Sequence, residues 1–125
     1  MVNYGQLNFM SIKNKYNLEG EKHGYWEEYW NNGNISYKGN YINGIHDGYW
    51  EYYLSNGILM GKGNYINGKS DGYWEIYWDN GNLNYKGNFI NGLKYGYWEH
   101  YRDNGELRLT DFYLYPHQVY MFSSL

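Results

Sequence analysis

The sequence predicts an all-β fold, an elongated and twisted antiparallel sheet built from consecutive β-hairpins. Two observations carry this prediction. Asn-Gly dipeptides, the strongest short-range hairpin signal, occur seven times at steps that alternate between 11 and 13 residues, and strands of ordinary length fit between turns so spaced. A heptapeptide of the form GYWExYx also returns every 24 residues, beginning at Gly24, Gly48, Gly72 and Gly96.

Composition limits the function classes. The chain has 125 residues, enough for one domain, and no cysteine, so disulfides, cysteine zinc sites and thiol nucleophiles are excluded. A net charge of −3 gives no basic surface, so we expect no nucleic-acid partner and no binding to membrane lipid. The first residues do not resemble a signal peptide and no apolar run reaches membrane-spanning length, so the expected location is cytoplasmic.

The repeat spacing divides the single predicted domain, 1–125, into three parts. Residues 1–23 are an atypical N-terminal cap or first hairpin, 24–113 hold four 24-residue repeat units, and 114–125 form a capping segment. Atypical ends are expected in a repeat array because a bare outer strand would pair with other molecules. The last segment is apolar enough either to cover its own sheet or to form a dimer interface.

Reading each Asn-Gly as a two-residue type I′ turn gives one strand register, whereas a turn with an odd number of residues and a bulge would swap the partners. One face then carries the Trp of the heptapeptide opposite a glycine, and the other face carries Tyr, Glu and Lys. The pairs predicted for the first repeat are Trp26 with Gly39, Glu27 with Lys38, Tyr29 with Ser36 and Trp30 with Ile35.

The constant Trp, Gly, Glu and Lys letters are interpreted as structural. A tryptophan ring can lie across a bare glycine in the next strand, and opposite charges across a strand pair stabilise it by up to about 1 kcal/mol. The predicted ring–glycine pairs are Trp26 with Gly39, Trp50 with Gly63 and Trp74 with Gly87, with Trp98 in the same stripe. The predicted ion pairs are Glu27 with Lys38, Glu51 with Lys62 and Glu75 with Lys86.

The tyrosines of the heptapeptide are the candidate binding residues. Rigid amphipathic rings give contact area at a low entropy cost, as in other binding surfaces. The competing interpretation is that they only shield the sheet and stack along it. The candidate face consists of Tyr25, Tyr29, Tyr49, Tyr53, Tyr73, Tyr77, Tyr97 and Tyr101.

The links between hairpins resemble the MORN repeat. YKGNYINGIHDGYW, which begins at Tyr37, and YKGNFINGLKYGYW, which begins at Tyr85, follow the family pattern Tyr-x-Gly-x-aromatic-x-x-Gly-x-x-x-Gly-x-Trp. The resemblance covers about residues 16–113, and the 24-residue period is similar to a bacterial MORN variant described as antitoxin-like. It implies an open, elongated antiparallel sheet that is non-catalytic and binds proteins or assembles.

No catalytic or metal-binding constellation is predicted. The repeated glutamates lie two strands, roughly 9–10 Å, apart and are expected to face lysines, which favours ion pairs over acid–base chemistry. The four histidines occupy different repeat positions. We therefore predict no enzyme activity, no cofactor and no metal ion.

The main functional hypothesis is a scaffold that binds an unidentified protein partner, or a second copy of itself, through the tyrosine-rich face. The alternatives are an antitoxin-like neutraliser of a toxin partner, implied by the resemblance, and a module that binds glycans or phospholipid headgroups.

Overall fold

The computed structural model describes residues 12–114, which form nine β-strands and no helix. None of these residues lies in a helix long and apolar enough to cross a membrane. The strands are β1 (Lys15–Tyr16), β2 (Lys22–Tyr29), β3 (Ile35–Ile42), β4 (Ile45–Tyr53), β5 (Leu59–Ile66), β6 (Lys69–Tyr77), β7 (Leu83–Ile90), β8 (Leu93–Tyr101) and β9 (Leu107–Tyr113).

Each strand pairs antiparallel with the strands before and after it in the chain, so the spatial order is β1 to β9 without a crossover. The sheet is open, because β1 and β9 do not meet. The predicted all-β array of consecutive hairpins is therefore confirmed. The division into N-terminal cap, four repeats and C-terminal cap stays a prediction, since 1–11 and all of 114–125 except Leu114 lie outside the described residues.

The connections alternate between two turn types, which define the two long edges of the sheet. At the short-turn edge, Asn43-Gly44 has positive φ at both residues, 47° and 81°, as a type I′ turn requires. The turns at 67–68 and 91–92 repeat this geometry. For these three Asn-Gly pairs, the predicted two-residue turn is correct.

At the long-turn edge, the predicted two-residue turn is wrong. In the first such turn only Gly33 has a positive φ, its N–H donates to the Trp30 carbonyl, and the Trp30 N–H donates to the Asn34 carbonyl. The loop thus has three residues, with glycine in the left-handed region. The Asn32 side-chain oxygen accepts a hydrogen bond from the Asn34 N–H at 2.9 Å, which holds this turn. The turns around Gly57, Gly81 and Gly105 share this pattern.

A β-bulge beside the long turn restores the predicted register. Tyr29 pairs with Ile35, not with Ser36, and Ser36 is the additional residue of the bulge. One extra residue in the loop and one in the bulge offset each other. Beyond the bulge, Glu28 pairs with Tyr37, and Glu27 with Lys38 and Trp26 with Gly39 pair as predicted.

A second irregularity follows each short turn. Gly48 lies within β4 at a φ of 72°, and the β3–β4 register jumps there, so that three residues of β4 oppose Gly39 alone. The bulge brings the Trp50 side chain across Gly39, where an added Cβ would lie 2.2 Å from the indole ring. Gly24, Gly72 and Gly96 have the same left-handed conformation.

The hydrophobic core lies on one face of the sheet, which we call the tryptophan face. Its four repeated tryptophans are 0–5% exposed although residues 12–114 form a single sheet layer. They are covered by neighbouring rings, as Trp50 is by Tyr41, Tyr65 and His46, whose centroids lie 4.2–6.1 Å away. The buried members are Trp26, Trp50, Trp74 and Trp98.

The N-terminal edge of the sheet is closed by residues just before β1. The Asn14 side-chain amide donates to the Glu27 carbonyl, its oxygen accepts the Glu27 N–H, and the Asn14 N–H donates to the Tyr25 carbonyl. These bonds satisfy backbone groups of β2 that the short strand β1 does not reach. The described part of the predicted N-terminal cap therefore blunts an edge that would otherwise be open to pairing.

Candidate binding face

The face opposite the tryptophans, which we call the tyrosine face, carries a continuous row of alternating charge. Direct strand pairing runs without a break across β2 to β8. Glu51 and Glu75 each stand between lysines of the two flanking strands, whereas Glu99 has Lys86 on one side and Thr110 on the other. The members in order are Glu27, Lys38, Glu51, Lys62, Glu75, Lys86 and Glu99. Lys13 closes the row at the N-terminal edge, so its glutamates and lysines balance.

Lys38 and Lys86 contact the glutamate of the following hairpin, not that of their own, which corrects two of the predicted ion pairs. Lys38 Nζ lies 3.3 Å from Glu51, and Lys86 Nζ lies 3.9 Å from Glu99. Glu27 is paired instead with Lys13 at 3.0 Å. The predicted backbone partners are correct. Each of the three lysines has a glutamate on both flanking strands, and Lys38 and Lys86 contact the later one.

Tyrosine hydroxyls hold the glutamates of the row. Tyr53 donates to Glu51 at 2.8 Å and Tyr77 to Glu75 at 2.6 Å, and Tyr101 donates to Glu99 in the same way. These tyrosines stand two residues after their glutamate on the same side of one strand. Each ring is thereby fixed by a charge-assisted hydrogen bond.

At the first repeat the glutamate has three donors. The hydrogen bond from Tyr29, followed by those from Lys13 and Tyr25, lowers the pKa of Glu27 to about 2. Partial burial and the hydrogen bond to Glu27 raise the pKa of Tyr25 to about 12. The carboxylate is therefore ionised and the phenol neutral over the whole physiological range, which suits a structural ladder and not a proton-transfer site.

The eight predicted tyrosines fall into two columns that differ in exposure. The column nearer the long-turn edge holds Tyr29, Tyr53, Tyr77 and Tyr101, and all except Tyr29 are half-buried. The column nearer the short-turn edge, which we call the outer tyrosine column, consists of Tyr49, Tyr73 and Tyr97, preceded by the half-buried Tyr25. Its three members are 47%, 45% and 70% exposed. The structure thus brings all eight to one face, as predicted.

A row of aliphatic side chains beside the outer tyrosine column was missed in the sequence analysis. Ile42 and Ile45 pair across a short turn, and alternation along β3 and β4 puts them on the tyrosine face. Equivalent residues repeat at the next turns, and most are half exposed or more. We call the set Ile42, Ile45, Ile66, Ile90 and Leu93 the aliphatic row. The sequence segments INGI, INGK and INGL contain this repeat of aliphatic residues beside the short turns, so the row could have been predicted from them.

Carboxylates lie between the aliphatic row and the outer tyrosine column. Asp47 pairs with Asn40 and Asp71 with Asn64, on the tyrosine face. Neither aspartate has a cation within 4.0 Å among the described residues. Glu21 and Lys69 occupy the repeat position of Ile45 and Leu93. Among the described residues, Lys69 is the one lysine at the positions of the aliphatic row. This half of the face is therefore apolar and acidic.

On the tryptophan face the ring–glycine contacts correct the prediction. The ring of Trp50 covers Gly39 and that of Trp74 covers Gly63, one hairpin earlier than predicted in each case. Trp98, for which no glycine partner was predicted, covers Gly87. Each indole N–H donates to a backbone carbonyl of the previous hairpin, as Trp74 does to Asn64 at 2.9 Å. These rings are closed in by packing and are not available to a ligand.

The described residues contain no group of three or more His, Cys, Asp or Glu side chains placed to hold a metal ion. His100 Nε2 lies 3.0 Å from Asp111, the only such His–carboxylate contact within residues 12–114. Asp111 occupies the repeat position of Gly39, Gly63 and Gly87. This pair marks where the ring-over-glycine pattern ends.

Comparison with known proteins agrees with the repeat geometry. No curated protein matches the chain. The MORN repeat variant matches at residues 22–43, 47–67 and 70–91, together just over half of the chain. The last match ends at residue 91, before the repeat in which Leu109 and Asp111 replace the tyrosine and glycine of the pattern. On this match and on its sheet of regular hairpins, the chain belongs to the MORN repeat family.

Proposed function

We propose that this protein is a scaffold that binds a protein partner through the tyrosine face. Its membership in the MORN repeat family supports a non-catalytic repeat module. Binding through the tyrosine face is supported by the half-exposed outer tyrosine column, which runs beside the aliphatic row and consists of Tyr49, Tyr73 and Tyr97. Contiguous apolar surface of this kind on a soluble protein is typical of interaction sites.

The surface has the properties of a preorganised binding site. The rings stand on strands that are paired on both sides, so their positions are set by the sheet before any partner arrives. The neighbouring charge row is neutralised by its own lysines, which leaves little attraction for nucleic acid or anionic lipid. Rigid aromatic contacts lose little entropy on binding, and protein interfaces concentrate their affinity in such residues.

The experiment compares three forms of the protein, the wild type and two triple variants of Tyr49, Tyr73 and Tyr97. In one variant the three tyrosines become serine, and in the other they become phenylalanine. Proteins captured from a native lysate by the wild type are purified, and their dissociation constants for all three forms are measured by calorimetry. Circular dichroism confirms that the variants are folded.

The serine variant is expected to bind at least about tenfold more weakly, because it loses the ring contacts of a hot-spot surface. The phenylalanine variant keeps the rings and is expected to stay within a few-fold of the wild type. A folded serine variant that binds every reconstituted partner as tightly as the wild type would refute the proposal.

A further inference from the structure

We infer that the partner segment on this face is a basic amphipathic helix, whose apolar stripe lies along the aliphatic row and whose lysine or arginine side chains reach Asp47 and Asp71. The inference rests on the proposed function and names the chemistry of the partner. It follows from three features of the described residues, namely the saturated backbone of the sheet, the repeat step and the charge.

The backbone of the face offers little to a partner. Strands β3 to β8 each pair with a strand on both sides, so apart from the bulges their N–H and C=O groups are used within the sheet. A segment that lies on top of such a face must satisfy its own backbone groups. A helix does so by its internal hydrogen bonds, whereas an extended strand needs an open sheet edge.

The repeat step matches the period of a helix. Equivalent positions of the aliphatic row, such as Ile42 and Ile66, are 24 residues and two strands apart. Two strand spacings amount to about 9.5 Å. Two turns of an α-helix advance about 10.5 Å over seven residues. A helix lying across the strands can therefore place residues i, i+7 and i+14 on successive members of the row.

The charge of the surface selects a basic helix. Asp47 and Asp71 form no ion pair within the described part of the chain, and Glu21 lies at the start of the same edge. Against these three carboxylates this region has Lys69, while the lysines of the central charge row are matched by its glutamates. Lysine or arginine side chains beside the apolar stripe of the partner would form the ion pairs that these two aspartates lack.

A second copy of the chain is a poorer occupant. Its described residues contain no helix and would present the same carboxylates to Asp47 and Asp71. An anionic lipid surface would be repelled for the same reason. A basic helical segment of a different protein is the occupant that the surface fits.

The inference is tested with two synthetic 21-residue helices that share one stripe of leucines at heptad spacing. One peptide has lysines beside the stripe and the other has glutamates. Their dissociation constants for the full-length protein are measured by fluorescence anisotropy at low and at physiological salt. The lysine peptide is expected to bind at least about tenfold more tightly, with a preference that shrinks as salt rises.

Two pairs of charge variants locate the contact. Asp47→Asn with Asp71→Asn is expected to weaken the lysine peptide about three- to tenfold, since two partly exposed ion pairs are lost. Asparagine at 71 keeps a side-chain oxygen for the Asn91 N–H that Asp71 accepts at 3.2 Å. The matched control, Asp79→Asn with Asp103→Asn, changes the same charge at the same 24-residue spacing on the long-turn edge and is expected to have no effect.

The apolar contact is tested with Ile66→Ser and Leu93→Ser, whose side chains are 55% and 54% exposed. This double variant is expected to lose at least about tenfold in affinity for the lysine peptide while its circular dichroism is unchanged. Equal affinity of the two peptides, or an equal effect of the control pair, overturns the inference. So does light scattering that shows a dimer which Ile66→Ser with Leu93→Ser dissociates, because the row then binds a second copy.

The captured partner separates this inference from the proposed function. A partner that is lost with the serine variant of Tyr49, Tyr73 and Tyr97 but binds normally to the aspartate and aliphatic variants refutes the helix and leaves the scaffold. A partner that all these variants lose supports both.

Discussion

The two faces of the sheet carry the same 24-residue repeat and use it in opposite ways. On the tryptophan face the rings lie on bare glycine backbone and are almost wholly buried, with Trp50 and Trp98 at 0% exposure. On the tyrosine face the rings stand beside carboxylates, and members such as Tyr97 remain 70% exposed. The repeated Trp and Gly residues therefore pack into a closed core on one face, while the repeated Tyr and Glu residues leave a polar and aromatic surface exposed on the other.

The faces nevertheless share one feature, because on both of them the side chains bind successive hairpins together. Trp50 lies on Gly39 of the hairpin before it, and Lys38 pairs with Glu51 of the hairpin after it. Backbone contacts at the edges do the same, as between the Gly44 N–H and the Lys22 carbonyl at 2.8 Å. Stability in such an array comes from the interface between neighbouring repeats, so damage on either face is expected to loosen that interface.

The largest expected effect is the loss of a buried ring. Trp74→Ala is expected to lower the free energy of unfolding by about 3–5 kcal/mol, because it empties the core position between Tyr65 and Phe89. The adjacent residue on the other face gives the control, and Tyr73→Ala is expected to cost about 1 kcal/mol or less. Urea denaturation of both variants measures the difference. Equal losses would show that the two faces contribute alike.

The second effect comes from the glycine below that ring. A Cβ on Gly63 would lie 2.1 Å from the Trp74 ring, so Gly63→Ala is expected to cost about 1–3 kcal/mol by overpacking. The cost should largely disappear in a Trp74→Ala background, because the clash is then removed. A double-mutant cycle in urea measures this coupling. Additive effects of the two substitutions would contradict the ring-over-glycine packing.

The sequence predicted the fold and the hairpin register but not the direction in which the side chains lean. Asn-Gly spacing determines the strands, and the errors at the long turns cancel because the extra loop residue is offset by the bulge at Ser36. Trp50 has a glycine on both flanking strands, Gly39 and Gly63, and the letters do not distinguish them. The left-handed backbone at Gly48 decides in favour of Gly39, and this bulge depends on strand pairing.

The candidate site was predicted in part. The heptapeptide placed its tyrosines on one face, because alternation along a strand is a local property. The aliphatic row was missed because its members, such as Ile42 and Ile66, flank the Asn-Gly turns and stand outside the heptapeptide. Their exposure depends on the absence of a second layer over the edge, which no local pattern shows. Whether either set binds a partner stays a prediction.

The third expected effect is a loss of stability at high pH that comes from the tyrosine face. Partial burial and then the hydrogen bond to Glu51 raise the pKa of Tyr53 to about 12, and the hydrogen bond to Glu99 and then partial burial raise that of Tyr101 to about 12. These pKa values lie above the unfolded value of 10.0. The stabilisation that the two tyrosines give the folded state is therefore fully present below pH 10 and is lost as pH rises towards 12.

The variant Tyr53→Phe isolates one such group. It removes the hydroxyl, so it is expected to be less stable than the wild type at pH 8, and this gap is expected to narrow by pH 11.5. Urea denaturation at the two pH values measures the gap. The comparison variant Tyr97→Phe removes a phenol from the more exposed outer column. If the difference in stability between Tyr53→Phe and the wild type is the same at both pH values, the stabilising hydrogen bond from Tyr53 to Glu51 is contradicted.

The smallest expected effect is a gain in stability from a substitution of Ser70 on the tryptophan face. In three of the four repeats the residue four positions before the buried tryptophan covers that ring, as a lysine in the first and last repeats and as His46 in the second. Ser70 is too short to cover Trp74 in this way. The lysine nitrogens lie 4.6 Å from the ring centroid for Lys22 over Trp26 and 4.8 Å for Lys94 over Trp98.

Ser70→Lys is therefore expected to raise the free energy of unfolding by about 0.5–1 kcal/mol, the usual range of a cation–π contact at a partly exposed site. Ser70→Met is the matched control, because it supplies a stem of similar length without the charge. Thermal and urea denaturation of the two variants separate ring coverage from cation–π attraction. If Ser70→Met stabilises the protein as much as Ser70→Lys, the lysines at this position act through their apolar stems, and the tryptophan face is held by packing alone.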